Sequence, residues 1–525
     1  MSASVPFQSI PANLRIPLFW AEVDNSQANT NQQTQRTLII GQMSAAALAA
    51  GTVAPGMPVI SAGPGDGAAK GGAGSMLDTL SQVYGLNDGF AEVWFLPLAD
   101  AAGAVAASGT VTFGGPATAA GTLTFYAAGI YVSVAVTSGM TAAQAATALA
   151  AAINVGYGAG PNGQRFNLPV TAAAAGAVVT ITAINKGIVG NDIDLQFNFQ
   201  GPAAGEATPA GLAPAIVAMA GGATNPTIAA ALANLGQAPF DFIVSPYTDN
   251  TSIAALTTLM NGQVGRWSWQ TQVYGGVFMA YRGTYGSLTT FGTAQNDPHT
   301  SCIGFYGSPS PVWAWAAGYA GACAASLRVD PALPVQTLPI IGVWAPPAAD
   351  QFSQLQQNTL LYDGISTFNV SPAKQVSIQN AITTYQTNSL GQADNSLLEV
   401  ETLYTIMAVL RSLQATVTSS LSRKKLADNG TPTPPNSNIV TPSTVEGLLV
   451  ANYTILETVN GWVEDTAFFA ANLVVQRNQT NPGRLDVLYP PVLIAQLRVF
   501  ALLFQFRLLA PPANSNDVVD AQAAA

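Results

Sequence analysis

Two apolar, strand-like segments at opposite ends of this 525-residue chain constrain its fold more than any other feature. Near the start, residues 14–23 read LRIPLFWAEV, and near the end residues 497–507 read LRVFALLFQFR. Neither segment has a pairing partner nearby in the sequence. Because unpaired backbone groups beside buried apolar side chains are costly, each segment needs a sheet edge to join. The most economical interpretation is that identical subunits donate these strands to one another, which makes the protein a building block of a large assembly.

We name these segments the N-terminal arm, with its linker at residues 1–36, and the C-terminal arm, residues 490–525. The large apolar side chains of each arm are the ones that we expect to enter a neighbouring subunit. In the N-terminal arm they are Leu14, Ile16, Leu18, Phe19 and Trp20. In the C-terminal arm they are Val499, Phe500, Leu502, Phe504 and Phe506.

The chain carries few charges for its length. Asp, Glu, Lys and Arg make up 8% of the residues, about a third of the usual share, and residues 101–164 contain none of them. The formal net charge of −10 argues against direct binding of nucleic acid, which calls for a basic surface. Sparse charge and 49 glycines suit a surface covered by neighbours, because interface cores are depleted in charge. The alternative explanation is an alanine-rich composition of the host.

Membrane insertion and secretion are not expected. The most apolar helical stretch, residues 312–327, is short for a membrane span and contains two glycines. No basic region followed by an apolar stretch opens the chain, so we expect no signal peptide and assembly in a cytoplasm. There we expect Cys302 and Cys323 to be reduced and buried.

Residues 105–205 read as a β-domain. Apolar residues at 193, 195, 197 and 199 alternate strictly with polar ones, which is typical of a strand with one buried face. One helix interrupts the strands, and its start carries the capping-box pair Thr141 and Gln144. Residues 201–222, rich in Gly, Pro and Ala, read as a linker out of this domain.

Residues 239–327 alternate strand and helix at a spacing that suits right-handed βαβ units. We predict strands at 240–244, 273–280 and 302–306, with helices at 253–260, 285–294 and 312–327. Strands at 38–40 and 93–96 would complete the same sheet. The β-domain would then be an insertion into one α/β domain.

The chain becomes more helical after the proline-rich stretch 331–347. Ser371 and Pro372 predict a helix start, an apolar stripe from Leu403 to Leu421 predicts the longest helix, and Thr441 with Pro442 predicts another. We expect the longest helix to end at residues 428–430. Residues 473–476 and 485–489 predict a β-hairpin.

The predicted fold class is therefore α/β and α+β multidomain. An α/β core domain spans residues 37–104 and 206–347, a mainly-β domain is inserted at 105–205, and a C-terminal α+β inner domain spans 348–489. The two arms flank this body.

No pattern indicates catalysis, a cofactor or a metal, so we expect no enzyme. The single histidine, His299, lies in a predicted loop, and a triad with Ser301 and Asp297 lacks any nucleophile elbow. One His and two separated Cys do not make a zinc site. The glycine run 63–71 lacks the Gly-Lys-Ser/Thr of a phosphate-binding loop, so we expect a flexible surface loop. Five tryptophans (Trp267, Trp269, Trp313, Trp315 and Trp344) are expected to fill cores or interfaces.

Basic residues near the longest helix leave two interpretations open. Arg423, Lys424 and Lys425 either complement the dipole of the helix C-terminus or contact an acidic partner or neighbouring subunit. Arg477 and Arg484, which flank the late hairpin, are further candidates for the same contact.

Several strings of the chain, taken in order, resemble the Mu-like family of contractile-phage tail sheath proteins. They are IPANLRIP (10–17), AEVDNSQA (21–28), QRTLIIG (35–41), GSML (74–77), EVWFLPLAD (92–100), YPP (489–491) and QLRVFA (496–501). The resemblance covers most of the chain.

The resemblance implies that subunits stack as rings, wound in a helix around an inner tail tube. It implies that an inner domain, largely C-terminal, carries the lattice and that the first and last strands join neighbouring sheets. The implied partners are further copies of the chain, the inner tube protein, the baseplate and the tail terminator. The implied location is the virion tail, assembled in the host cytoplasm, where contraction drives the tube through the host envelope.

Two other classes of protein stay open at this point. A surface-layer or adhesin-type assembly protein is suggested by the Thr/Ala/Gly-rich β-domain, although the α/β pattern and the missing signal peptide argue against it. A nucleotide-using enzyme is suggested by the βαβ units, although the missing phosphate loop argues against it.

Overall fold

The computed structural model describes residues 35–432, 434, 438–506 and 508. Their contacts divide the chain into two compact units. Unit 1 contains the residues up to Val329 and residues 336–403, and unit 2 contains residues 330–335 and those from Tyr404 onward. The predicted boundary at residue 348 differs from this division and stays a prediction.

Unit 1 begins with a strand, two short helices and a longer helix that packs against the central sheet. The elements are β1 (Thr37–Gln42), α1 (Ala45–Ala50), β2 (Val59–Ile60), α2 (Asp66–Gly71), α3 (Met76–Asn87) and β3 (Val93–Leu98). The expectation of a flexible loop at 63–71 is wrong, because Asp66–Gly71 form α2, which packs on α3. A Cβ at Gly67 would lie 2.5 Å from the Cβ of Ser81, so glycine permits this close approach.

The next segment folds into two antiparallel sheets with one helix. Its elements are β4 (Ala106–Phe113), β5 (Gly121–Ala127), β6 (Ile130–Val136), α4 (Ala142–Asn154), β7 (Tyr157–Ala159), β8 (Arg165–Asn167), β9 (Val170–Ala175), β10 (Val178–Lys186), β11 (Leu195–Phe197) and β12 (Pro214–Ala220). The sheet orders are β12-β4-β10-β9 and β11-β5-β6-β7-β8. The capping box is confirmed, since the Thr141 hydroxyl accepts from the backbone N–H of Gln144, whose side chain accepts in return.

The linker predicted at 201–222 is wrong in part. Residues 214–220 form β12, an edge strand that pairs with β4, with Ile216 opposite Val111. Four of the seven residues of β12 are Ala or Pro, which are depleted in strands, and they weaken the strand signal of Ile216 and Val217.

The next elements of unit 1 alternate strand and helix between residues 242 and 329, as predicted, and a further helix, a hairpin and the start of a long helix follow. They are α5 (Ala229–Ala233), β13 (Phe242–Val244), α6 (Asn250–Met260), β14 (Gly276–Arg282), α7 (Tyr285–Thr293), β15 (Thr300–Phe305), α8 (Val312–Val329), α9 (Gln354–Tyr362), β16 (Thr367–Val370), β17 (Val376–Asn380) and the start of α10 (Val400–Leu421). The central sheet has the order β15-β14-β13-β1-β3-β2. Strands β1 and β3 pair in parallel with each other, and β1 also pairs in parallel with β13, which confirms that the early strands complete the later sheet. Both α3 and α8 pack against this sheet.

Two helix predictions in this part of the chain are wrong. Ser371 and Pro372 do not begin a helix but form the turn of the β16–β17 hairpin, where the Ser371 side chain accepts from the N–H of Gln375. Ser-Pro suits a turn as well as a helix start, so the local signal was ambiguous. The longest helix ends at Leu421, before the predicted stop at 428–430.

Unit 2 contains the rest of α10 followed by small sheets and two helices. The elements are β18 (Lys425–Leu426), β19 (Ile439–Val440), α11 (Pro442–Ile455), β20 (Val463–Glu464), α12 (Thr466–Asn472), β21 (Val474–Arg477), β22 (Leu485–Leu488) and β23 (Val492–Leu493). Thr441 caps α11 with Pro442 at its first turn, and β21 pairs with β22, so both of these predictions are confirmed. The core of unit 2 contains Leu449, Tyr453, Val463 and Phe469, all nearly inaccessible to solvent.

The chain is thus a mixed α/β protein of more than one compact unit. This general architecture agrees with the fold class predicted from the sequence. Among the described residues, no helix is both long and apolar enough to span a membrane.

Candidate assembly surface

The described part of the C-terminal arm exposes a row of large apolar side chains. Phe500 is 81% exposed, Leu503 is 82% exposed and Phe504 is 76% exposed, and the neighbouring apolar side chains of the arm are exposed as well. Residues 494–506 lie in no helix or strand. The structure therefore places the arm's predicted contact residues Val499, Phe500, Leu502, Phe504 and Phe506 together on one solvent-facing segment.

The base of this arm is fixed inside unit 2. Strand β23 pairs with β20, and Ile494 N–H continues the pairing by donating to the carbonyl of Trp462 at 3.2 Å. The Tyr453 hydroxyl donates to the Glu464 carbonyl at 2.7 Å and accepts from Val492 N–H at 3.0 Å. The arm therefore leaves unit 2 from a defined point.

The Tyr453 ring is held within an aromatic cluster. Its ring stacks on Phe469 with the centroids 3.9 Å apart, and Tyr489 packs edge-on against Phe469 at 4.7 Å. Burial raises the pKa of the Tyr453 hydroxyl, so this group stays protonated and can donate. Sequence reasoning missed Tyr453. The only available signal was its place on the apolar stripe of a predicted helix, which indicates core and not a link to an arm.

Unit 2 contains two-stranded sheets whose outer edges pair with no further strand of the described residues. Within the described residues, β20 pairs with β23 alone and β21 pairs with β22 alone. Val474, Val487 and Leu488 of the hairpin are exposed. An isolated two-stranded sheet is marginally stable at best, so such edges are suited to accept a further strand.

The basic candidates lie on the surface of unit 2. Arg423, Lys424 and Lys425 are exposed and follow the end of α10, whose last turn contains no basic residue. The Lys424 ammonium donates to the side chain of Asn438 at 3.2 Å. Arg423 lies two residues beyond Leu421 and so remains close to the helix C-terminus, which leaves both the dipole interpretation and the contact interpretation open.

The two hairpin arginines are engaged with carboxylates. Arg477 lies 3.1 Å from Asp428, and Arg484 lies 2.5 Å from Asp486. Hydrogen bonds from Asn478 and Arg484 lower the pKa of Asp486. Both arginines are exposed enough to contact another molecule while keeping these partners, since their ion pairs lie at the surface.

The N-terminal arm's predicted contact residues, Leu14, Ile16, Leu18, Phe19 and Trp20, lie outside the described residues. The structure begins at Gln35, one residue before the Arg36–Glu92 ion pair of 2.7 Å. What it shows of this arm is the point at which the chain enters β1.

The residues weighed for catalysis lie in structural roles. The imidazole of His299, in the loop before β15, lies 3.3 Å from Asp297 and packs on Trp267. The Ser301 hydroxyl donates to the carbonyl of Ile382 at 2.6 Å and is fully buried in the core. Among the described residues no cluster of three or more His, Cys, Asp or Glu has the arrangement of a metal site.

The cysteines and most of the tryptophans follow their predictions. Cys302 and Cys323 are buried free thiols, and burial raises the pKa of both. Trp313 and Trp315 are buried, Trp267 and Trp344 are half-buried, and Trp269 is exposed.

Comparison with known proteins identifies the family. The family model of the phage tail sheath protein central domain matches residues 221–384. The tail sheath protein of the Mu-like prophage FluMu of Haemophilus influenzae is 36% identical over 507 residues, which cover 96% of this chain and 100% of that protein.

Two solved structures are similar at low identity. The sheath tail protein of Desulfitobacterium hafniense has a TM-score of 0.45 at 12% identity and covers 91% of this chain and 100% of its own. The contracted helical sheath of the anti-feeding prophage has a TM-score of 0.42 at 10% identity, covering 94% and 99%. The family assignment rests on the prophage protein, whose whole length aligns with this chain. The chain belongs to the Mu-like family of tail sheath proteins, structural components of contractile phage tails.

Proposed function

We propose that subunits of this protein polymerise around an inner tail tube by exchanging terminal strands, and that the polymer contracts to drive the tube through the host envelope. The observation that carries the proposal is the row of exposed apolar side chains on the C-terminal arm. Contiguous apolar surface of this kind marks an interaction site in a soluble protein.

The energetics favour a partner for the arm. Burying one large apolar side chain fully is worth about 1.5–3 kcal/mol, whereas ordering the backbone costs about 1–2 kcal/mol per residue. The net gain of one arm is therefore modest. In a lattice where every subunit donates and receives, the gains act together by multivalency.

The acceptor that we propose is the set of open sheet edges in unit 2. An arm that adds a strand beside β20–β23 or β21–β22 would supply main-chain hydrogen bonds, and the exposed hairpin residues would receive apolar side chains. Both arms are proposed donors, through Leu14, Ile16, Leu18, Phe19 and Trp20 at one end and Val499, Phe500, Leu502, Phe504 and Phe506 at the other.

The domain arrangement belongs to the same proposal. The α/β core would comprise 37–104 and 206–347, with the β-domain inserted at 105–205 and the inner domain at 348–489. Subunits joined by their arms would change their mutual packing during contraction while each body keeps its internal contacts. The inner tube protein, the baseplate and the tail terminator are the proposed partners, and host cytoplasm is the proposed place of assembly.

Strand exchange can be tested by removing one arm at a time while keeping the two folded units intact. Removal of residues 497–525 leaves β23 and its pairing with β20 in place, so the chain should stay folded. We expect soluble monomers that form no tubes under negative-stain electron microscopy, and the same result after removal of residues 1–20. Normal tubes from either truncated chain would exclude strand donation at that end.

Substitutions in the full-length chain test whether the apolar side chains of the C-terminal arm, and not only its presence, are needed for assembly. Phe500→Ser with Phe504→Ser should abolish tubes without lowering the melting temperature, since both side chains are exposed in the single chain. Leu355→Ser with Leu390→Ser changes two equally exposed residues elsewhere and serves as the matched control. Tubes that form equally well from both double variants would contradict the proposal.

A further inference from the structure

The point where the N-terminal arm joins the body is surrounded by an unusual concentration of charge for this chain. Arg328, in the last turn of α8, donates from Nε to the Gln35 carbonyl at 3.0 Å and from Nη2 to the Thr37 hydroxyl at 2.6 Å. Its Nη1 donates to Asp88, at the end of α3. One guanidinium thus connects Gln35 and the first residue of β1 to the ends of two helices.

The contacts of Arg328 are shielded and mutually supporting. Its side chain is 17% exposed and that of Asp88 is 9% exposed. The Tyr84 hydroxyl donates to Asp88 at 2.6 Å, and the guanidinium lies 4.8 Å from the Phe242 ring of β13. Burial lowers the pKa of Arg328, but Tyr84 and Asp88 outweigh it and the pKa is raised, so the cation is retained.

A second arginine holds the same stretch from the other side. The Arg36 guanidinium pairs with Glu92 and lies 5.8 Å from the Trp94 ring. The Arg36 carbonyl accepts from Asp241 N–H at 2.8 Å, and Thr37 N–H donates to the Glu92 carbonyl at 3.0 Å. The chain is therefore fixed to both neighbouring strands of β1 before the strand begins.

The position of β1 in the sheet determines how a force on the N-terminal arm would be distributed. It lies between β13 and β3, in parallel with both. A pull on its N-terminal end acts along the strand, so the hydrogen bonds on both sides share the load. If residues 35–37 were not fixed, the force could instead peel β1 away from its N-terminal end and break its backbone hydrogen bonds one at a time.

We infer that Arg328 is a positioning residue that fixes the course of the chain at the root of the N-terminal arm, so that tension on the arm is received by the central strand of the sheet. The second part of this inference rests on the proposed exchange of arms between subunits. The first part concerns the single chain and is independent of that exchange.

Amide hydrogen exchange of the full-length chain tests the first part. Arg328→Met removes every donor while keeping an apolar stem, and we expect exchange at Arg36–Leu38 to be faster by about tenfold or more. Arg282→Met, which breaks another shielded arginine–carboxylate pair of unit 1, is the matched control for a general loss of stability, and should not raise exchange at Arg36–Leu38 more than at the other amides of the central sheet. Arg328→Lys keeps the charge but not the planar guanidinium, so its exchange should resemble that of Arg328→Met more than that of the wild type. If Arg328→Met raised exchange at Arg36–Leu38 no more than elsewhere in the central sheet, or not at all, the inference would be overturned.

Shear fragmentation of assembled tubes tests the second part. We expect tubes of Arg328→Met to break at lower shear than tubes of Arg282→Met. Equal breakage, with the exchange difference present, would show that the root is fixed but does not carry the load. Unaltered tubes after removal of residues 1–20 would instead refute the proposed function of the arm, while the exchange result would still decide the role of Arg328.

Discussion

Arg282, at the end of β14, and Asp192, in the segment between β10 and β11, form an ion pair with Nε 2.5 Å from Oδ1. The other carboxylate oxygen of Asp192 accepts from Val312 N–H at 2.6 Å, at the start of α8. Arg282 also donates to the Ser310 carbonyl at 2.7 Å. Two residues thus connect the antiparallel sheets, the central sheet and the longest helix that lies entirely within unit 1.

The first prediction concerns this pair. Asp192→Ala leaves the guanidinium without its carboxylate and the α8 terminus without an acceptor, and loss of one partner of a buried pair costs about 3–5 kcal/mol. Burial raises the pKa of Asp192 despite Arg282, so desolvation of the carboxylate outweighs the attraction of the guanidinium. We therefore expect a loss of about 3 kcal/mol in the free energy of unfolding, at the low end of that range. Chemical denaturation at neutral pH measures it.

A double variant provides the control for that prediction. Asp192→Leu with Arg282→Met removes both charges and should recover much of the lost stability, because a buried pair replaced by apolar residues leaves no unpaired charge. A double variant as unstable as Asp192→Ala would show that the hydrogen bond to α8, not the charge pairing, carries the effect.

Contacts between residues far apart in the chain are the part of the structure that the sequence did not predict. The βαβ alternation and the capping box at Thr141 are local patterns, so they were readable from neighbouring residues. Asp192 and Arg282 are 90 residues apart, and neither position differs locally from an ordinary exposed charge. Arg328, likewise, lies just beyond the helix predicted at 312–327, and nothing in its neighbouring residues indicates its partners.

For the arms, sequence reasoning found the exposed segments but not the contacts that fix them to the body. The large apolar side chains of both arms were visible in the sequence, and the structure shows those of the C-terminal arm exposed in the single chain. The base of that arm was not visible, because it depends on Tyr453 reaching Val492 across 39 residues. Small residues weakened the strand signal of β12. The turn at Ser371 resembled a helix N-cap, because a serine hydroxyl can accept a hydrogen bond from a backbone N–H in a turn as well as at a helix start.

The second prediction concerns close packing at Gly74. This glycine has φ of +74°, and a Cβ there would lie 2.3 Å from the Leu168 carbonyl oxygen. Gly51 has a similar φ of +65° with nothing within 4 Å of a Cβ, so it is a matched control. Gly51→Ala should cost about 1–2 kcal/mol from backbone strain alone, and Gly74→Ala should cost at least about 2 kcal/mol more from the clash. Equal melting temperatures for the two variants would refute the steric argument.

The third prediction concerns acid stability at Asp297. Burial acts to raise the pKa of this carboxyl, but hydrogen bonds from His299 and Thr257 outweigh it and lower the pKa below its ordinary value. A lowered pKa in the folded state contributes stability that is present above the ordinary carboxyl pKa of about 3.9 and is lost as the pH falls through the folded value. Asp297→Asn should therefore be less stable than the wild type at pH 6, and this difference should shrink as the pH falls below about 4. Denaturant midpoints of both chains across this range measure the difference, and a constant gap would contradict the assignment.

The last prediction concerns the basic residues beyond α10. Lys424 and Lys425 are exposed, and the only side-chain hydrogen bond that the described residues give Lys424 is the one to Asn438, so replacement by Glu should leave the fold intact. If these side chains contact an acidic tube, Lys424→Glu with Lys425→Glu reverses the attraction at close range, and an unfavourable like-charge contact penalises binding. We expect fewer sheaths assembled on purified tubes, with a loss that lessens at higher salt because screening weakens the repulsion. Lys186→Glu with Lys374→Glu makes the same change of net charge in unit 1 and should assemble normally. Normal assembly of both double variants on tubes would exclude the contact, whereas an equal defect in both would indicate an effect of net charge alone.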